Sequence, residues 1–332
     1  MKIKQQLTAL VAAGVLAHAL PAEATPTRYT PEVMLSLARV GAADLSPDGK
    51  TLVYSVGFPN LQANKIQSQL FRIAADGSSR KQLTSNIAGV HSPRWIQQGK
   101  RIAFLSSESG SQQVWTMSPD GSERKQLTDI EGGLSDFLLS PDETKIAYIK
   151  EIPFGKSTKD LYPDLPKATG RVITDLMYKH WDEWTETIPH IFIAELGASP
   201  VKGGKDILEG EPYEAPTKPF GGAEELSWSP DGKTLAYSSR KKVGMEYALS
   251  TNTDIYLYDL VSGQTKNVTA PNGGYDTHPR FSPDGKSLSW ISMERDGYEA
   301  DLKRLFVLDL KTGKKTFLTD GFEYDVDETV WA

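Results

Sequence analysis

Five times along the chain an aliphatic residue is followed two positions later by an aromatic one: Leu52 and Tyr54, Ile102 and Phe104, Ile146 and Tyr148, Leu235 and Tyr237, Leu288 and Trp290. A spacing of two puts both side chains on one face of a β-strand. A second strand follows each time, marked by adjacent aliphatic and aromatic residues: Leu70-Phe71, Val114-Trp115, Ile191-Phe192, Ile255-Tyr256 and Leu305-Phe306. Turns at Asp76-Gly77, Asp120-Gly121, Ser262-Gly263 and Thr312-Gly313 lead into a third strand that closes on threonine. It reads Arg-Lys-Gln-Leu-Thr at 80–84 and 124–128, Thr-Lys-Asn-Val-Thr at 265–269 and Lys-Thr-Phe-Leu-Thr at 315–319. The third unit lacks a clear copy and is the degenerate one.

Each unit is introduced by the same turn: Leu-Ser-Pro-Asp-Gly-Lys at 45–50, Leu-Ser-Pro-Asp-Glu-Thr at 139–144, Trp-Ser-Pro-Asp-Gly-Lys at 228–233 and Phe-Ser-Pro-Asp-Gly-Lys at 281–286, with a worn copy from Trp95 to Lys100. Proline pre-sets φ, Asp bonds its own backbone and Gly takes positive φ, so the motif is structural, not catalytic. The markers Ser46, Ile96, Ser140, Ser229 and Ser282 are spaced by 50, 44, 89 and 53 residues. Apart from one doubled interval, this is the ~40 to 50 residues of a propeller blade. The predicted fold is all-β, a β-propeller of about five four-stranded blades, with an all-β sandwich as the alternative. Trp331 lies 103 residues after Trp228, where a sixth turn is due. The spacing therefore predicts a propeller interrupted in mid-blade, with an open ring and an exposed sheet edge.

The N-terminus changes the picture of location. Lys2 and Lys4 precede an apolar run from Leu7 to Leu20, then Pro21 and Ala22-Glu23-Ala24. This reads as a secretory signal peptide over residues 1–24, leaving a mature propeller over 25–332 that is periplasmic or secreted. The run of about 14 residues falls short of the ~20 needed to span a membrane, so no membrane association is expected after cleavage. With 39% hydrophobic and 24% charged residues the chain is ordinary globular material rather than disordered. A formal charge of −6 without a basic cluster argues against a nucleic-acid partner. Zero cysteines exclude disulfides, thiolate zinc sites and a cysteine nucleophile.

Catalytic signatures are missing. There is no Gly-x-Ser-x-Gly and no His-Glu-x-x-His, and no calcium loop. The Gly-Lys-Thr/Ser triplets at 49–51, 232–234 and 285–287 lack the first glycine of a phosphate loop. No cofactor, no metal site and no catalytic residue is therefore predicted in this chain. Asn267-Val268-Thr269 matches a glycosylation sequon but lies on a predicted strand, which favours coincidence.

The doubled interval holds an insertion, predicted at residues 151–189, with Met177-Tyr178-Lys179-His180-Trp181-Asp182-Glu183-Trp184 at its heart. Two Trp, two carboxylates and a His within five residues suit a cation, because carboxylates pair with an ammonium and indole faces attract it. Equally, the aromatics can serve only to pin the insertion onto its blade. If the segment is extended, period two sets Trp181 with Glu183 on one face and Asp182 with Trp184 on the other.

The start Tyr29-Thr30-Pro31-Glu32-Val33-Met34-Leu35-Ser36-Leu37, the Ser-Pro-Asp-Gly blades and the 178–184 segment together resemble the N-terminal propeller of the prolyl oligopeptidase family. Within it they are most similar to the acylaminoacyl-peptidase and dipeptidyl-peptidase V-like branch. The resemblance implies seven or eight blades in all and a C-terminal α/β-hydrolase domain, absent from this chain, that carries a Ser, Asp, His triad. It further implies a secreted serine exopeptidase releasing dipeptides or short N-terminal units from oligopeptides with a free N-terminus, the propeller gating their entry. The fragment alone is expected to be inactive; a homodimer is admissible. The His-Trp-Asp-x-Trp pattern favours Asp182 and Trp184 over Glu183 and Trp181 at the substrate's amine, with His180 alongside. The competing reading is a TolB-like periplasmic interaction propeller. That type normally carries an α/β domain before its blades, for which about 20 residues between Ala24 and Asp44 leave no room.

Overall fold

The computed structural model describes residues 28–176 and 178–331, so the signal-peptide prediction lies outside the described residues. Five four-stranded antiparallel sheets follow one another, each a simple meander with strand order equal to chain order. Blade 1 comprises Arg39–Leu45, Thr51–Asn60, Lys65–Ala74 and Lys81–Gln82, and blade 2 His91–Ile96, Arg101–Ser106, Gln113–Met117 and Lys125–Gln126. Blade 3 comprises Asp136–Leu139, Lys145–Pro153, Thr187–Glu195 and Lys205–Asp206. Blade 4 comprises Leu226–Trp228, Thr234–Ser239, Asp254–Asp259 and Thr265–Asn267, and blade 5 Asp276–Phe281, Ser287–Ser292, Arg304–Asp309 and Lys315–Phe317.

The aromatic pattern has a direct structural cause. Tyr54 faces Phe71 across the second and third strands of its blade, and Phe104 faces Trp115, Tyr148 Phe192, Tyr237 Tyr256 and Trp290 Phe306. Four of these pairs stack, with ring centroids 5.4 to 5.8 Å apart. Cross-strand contacts of this kind hold the register of each sheet. The turns are equally repetitive. In blade 1 the Ser46 hydroxyl donates to Asp48 Oδ1 (2.6 Å) and accepts from the Thr51 amide (2.9 Å). Ser140, Ser229 and Ser282 repeat both bonds. Glycine supplies the positive φ in three copies, and Glu143 takes it at φ 53° in the fourth.

The closing threonines also have a task. Where the outer strand ends, the Thr84, Thr128, Thr269 and Thr319 hydroxyls accept the backbone N–H of Leu70, Val114, Ile255 and Leu305 at 2.8 to 3.0 Å. A side chain thus continues the ladder for one more rung. Between blades the cores form a series. Val53 and Leu70 meet Ile102 and Phe104; Leu105 and Val114 meet Ile146 and Tyr148; Ile149 and Ile191 meet Leu235 and Tyr237; Ala236 and Ile255 meet Leu288 and Trp290. The Trp228 indole donates to the Leu138 carbonyl of the preceding blade at 3.2 Å. Trp331 makes the equivalent bond to the Arg280 carbonyl of blade 5, also at 3.2 Å, as its spacing from Trp228 leads one to expect.

Candidate functional site

In blade 3 the second and third strands pair without interruption from Lys145 opposite Glu195 to Pro153 opposite Thr187. The ladder thus absorbs three residues at each end of the predicted 151–189 insertion, and the segment outside the sheet is 154–186. Ile152 and Ile188 are cross-strand partners here, so the apolar pairing simply runs on. The excess in the long interval has a second source, the connection over residues 207–225 between blades 3 and 4.

The aromatic-acidic segment is not extended. Lys179–His180 and Glu183–Trp184 form a tight hairpin, with Lys179 opposite Trp184 and His180 opposite Glu183. Trp181 and Asp182 make the two-residue loop, Trp181 at φ 52°. This overturns the two-faced arrangement: Glu183 and Trp184 line the same pocket with His180, while Trp181 and Asp182 sit outside it. Asp182 is exposed on the loop. Trp181, 71% exposed, lies edge-on to Phe220 with centroids 5.3 Å apart. Trp184 is already engaged by cations: the Arg171 guanidinium sits 4.3 Å and Lys179 Nζ 5.0 Å from its ring centre, and Arg171 Nε is 2.7 Å from Glu186.

The pocket lies between three elements that meet above the junction of blades 3 and 4. The insertion contributes Phe154, His180, Glu183 and Trp184; the connection contributes Glu214 and Lys218; the loop after Ser239, with its short helix Gly244–Leu249, contributes Lys242 and Tyr247. His180 and Tyr247 meet edge-to-face at 6.4 Å, and Asp175 packs against Gly244, so the insertion is docked on blade 4. At the base is Glu214, only 5% exposed. Its Oε1 accepts the Tyr247 hydroxyl (2.6 Å) and the Lys218 amide (3.2 Å). Burial pushes the Glu214 carboxyl up to about 7, against the lowering effect of the Tyr247 hydrogen bond and of Arg240. Burial likewise holds His180 below the usual imidazole range, with Arg240 and Lys218 acting in the same direction.

Glu214, Lys218, Phe220, Lys242 and Tyr247 escape a reading based on repeats, because they stand on segments without a counterpart in the other blades. One signal in the sequence points to them, the Ser229 to Ser282 interval being the longest of the single-blade ones; the long interval shows an excess only once the ladder shortens the insertion to 154–186. Among the described residues no three His, Asp or Glu side chains converge as metal ligands, and no helix is long and apolar enough to cross a membrane.

Five meander sheets in series, fixed by the Ser-Pro-Asp-Gly turns and joined face to face, define a β-propeller. Acylaminoacyl peptidase from Pyrococcus horikoshii superposes with a TM-score of 0.60 at 14% identity, over 90% of this chain and 42% of that one, a likeness of fold. The chain is similar in sequence to dipeptidyl-peptidase 5. The Porphyromonas gingivalis protein of that name is 57% identical over 334 residues, covering 99% of this chain and 49% of the relative. That of Porphyromonas endodontalis is 52% identical over 279 residues, covering 84% and 40%. The chain thus spans about half the length of the curated relatives it matches. No family model matches it.

Proposed function

We propose that this chain is the propeller of a secreted or periplasmic serine exopeptidase that releases dipeptides or short N-terminal units from oligopeptides. The observation that carries the proposal is the 57% identity to a dipeptidyl-peptidase 5 along 99% of the chain. In this reading an α/β-hydrolase domain of the full-length protein supplies the triad, and the propeller restricts entry to short peptides. The pocket beneath the hairpin receives the free N-terminus, with Glu183, Trp184 and His180 as the hairpin's candidates and Asp182 and Trp181 outside it. What supports that placement is the meeting of carboxylates and aromatic rings in one pocket over a junction between blades. Binding energy held there, away from the reacting bond, would position the peptide for cleavage.

The test is hydrolysis of dipeptidyl-arylamides by the full-length protein and, separately, by residues 25–332. Turnover by the full-length protein, abolished by a serine-directed inhibitor, with none by the propeller alone, is the expected outcome. No turnover of any dipeptidyl substrate by the full-length protein, or turnover by 25–332 alone, would refute the proposal.

A further inference from the structure

The pocket contains a carboxylate whose environment is incomplete. Glu214 is more than nine-tenths buried and bonds Tyr247 and Lys218 through Oε1 alone; among the described residues Oε2 receives no hydrogen bond. Nor does Glu214 form a salt bridge among the described residues. The neighbouring cations are placed elsewhere: Lys218 Nζ is 3.1 Å from Glu151 Oε2, and the Arg240 guanidinium lies 4.5 Å from the Tyr247 ring centre. With no cation in direct contact, Arg240 and Lys218 offset the burial of this carboxylate only in part, so a ligand that brings one positive charge gains what the fold leaves unmatched. The cavity is about 50 Å³. At ~10 to 15 Å³ per water on this measure, that admits roughly three to five water-sized groups, an ammonium with its first carbons but no bulky side chain. Trp184, Phe154 and Tyr247 wall it, and rings of this kind favour a cation at close range. Asp182, by contrast, stands in solvent on the hairpin loop, where screening weakens any ion pair.

The geometry points to Glu214 as the group that receives the α-ammonium of the peptide substrate, with Glu183 at the pocket wall and Asp182 uninvolved. This rests on the peptidase reading above and names the residue on which its preference for a free N-terminus depends. The charged and titratable groups around Glu214 are His180 and Glu183 from the hairpin, Lys218 from the connection, and Arg240, Lys242 and Tyr247 from the blade 4 loop.

In the full-length protein, E214Q should lower kcat/KM for free dipeptidyl substrates by about 10- to 150-fold, the span of a charge-assisted hydrogen bond, and leave N-acetylated substrates unchanged. D182N should stay within about twofold on both. Ionised Glu214 binds the ammonium, so wild-type kcat/KM should rise with pH through the Glu214 titration; E214Q should lack that limb, and H180Q should keep it. Y247F removes a hydrogen bond that holds Glu214 down and should move the limb to higher pH, which serves if E214Q does not fold. Calorimetry with n-propylammonium needs no turnover: binding by wild type and not by E214Q upholds Glu214 as an ammonium site even if the peptidase reading fails. An unchanged preference for free N-termini in E214Q, the loss falling on D182N instead, an unmoved limb in Y247F, or equal n-propylammonium binding by both proteins would overturn it.

Discussion

Replacing Thr128 by valine isolates the side-chain rung that ends an outer strand. Thr128 is fully buried; its hydroxyl accepts the Val114 amide (2.8 Å) and donates to Gln113 Oε1 (2.8 Å). Valine keeps the shape and removes both bonds. The Val114 N–H, itself fully buried, is left without a partner at a cost of about 1 to 3 kcal/mol, and the donated bond adds about 1 kcal/mol. Gln113 Oε1 still holds the Ile130 amide at 2.9 Å, which limits the second part. The sum is about 2 to 4 kcal/mol. Thr319 makes the same bond to the Leu305 amide (3.0 Å), but both residues are only half-buried, so water can replace the hydroxyl and T319V should cost at most about 1 kcal/mol. Urea unfolding followed by tryptophan fluorescence measures the difference. At a slope of roughly 3 kcal/mol per M, T128V should lower the midpoint by about 0.7 to 1.3 M and T319V by less than about 0.35 M. Equal shifts in the two variants, or a T128V shift under about 0.2 M, would show that burial of the amide does not set the cost.

Asp276 is fully buried, with Oδ1 held by Asn272 and Trp290, and burial pushes its carboxyl up to about 6. The folded chain therefore binds this proton more tightly than the unfolded one: Asp276 favours the fold below about pH 4 and loses that contribution as pH rises to about 6. The unfolding free energy of wild type relative to D276N should fall across that window, and a flat difference would contradict the assignment. Gly244 has φ 58°, and a β-carbon there would collide with Asp175. G244A should speed limited proteolysis within 154–186 while barely moving global unfolding. Mass spectrometry of exported material should find Thr25 as the first residue; a retained Met1 would contradict the signal-peptide assignment.

The blades were legible because their signal is local and repeated: each aromatic two positions after an aliphatic residue meets a partner across the next strand, and Ser-Pro-Asp-Gly dictates its own turn by proline geometry and an Asp bond to its own backbone. The site was legible only in part. The 178–184 segment stands out by its chemistry, but its hairpin is hidden, since the loop carries Trp-Asp in place of the Asn-Gly or Asp-Gly that commonly marks positive φ. Trp181 adopts that backbone against the preference of a bulky residue. Glu214 is hidden for another reason. Its burial arises from Tyr247 and from an insertion some thirty positions upstream, and no short-range pattern encodes that meeting.

The series of cores between blades also determines what can move. The seam between blades 3 and 4 encloses Trp228, Tyr237, Tyr256 and Tyr258, whereas in the seam between blades 4 and 5 Trp290 is buried and Phe281 and Phe306 are only partly so. Prising apart the first would wet far more ring surface than prising apart the second, at ~25 cal/mol per Å². Of these two seams, the later is the one that opens more readily. The Glu214 floor of the pocket rests on the stiffer one, so a ligand entering there has little reorganisation of that floor to overcome.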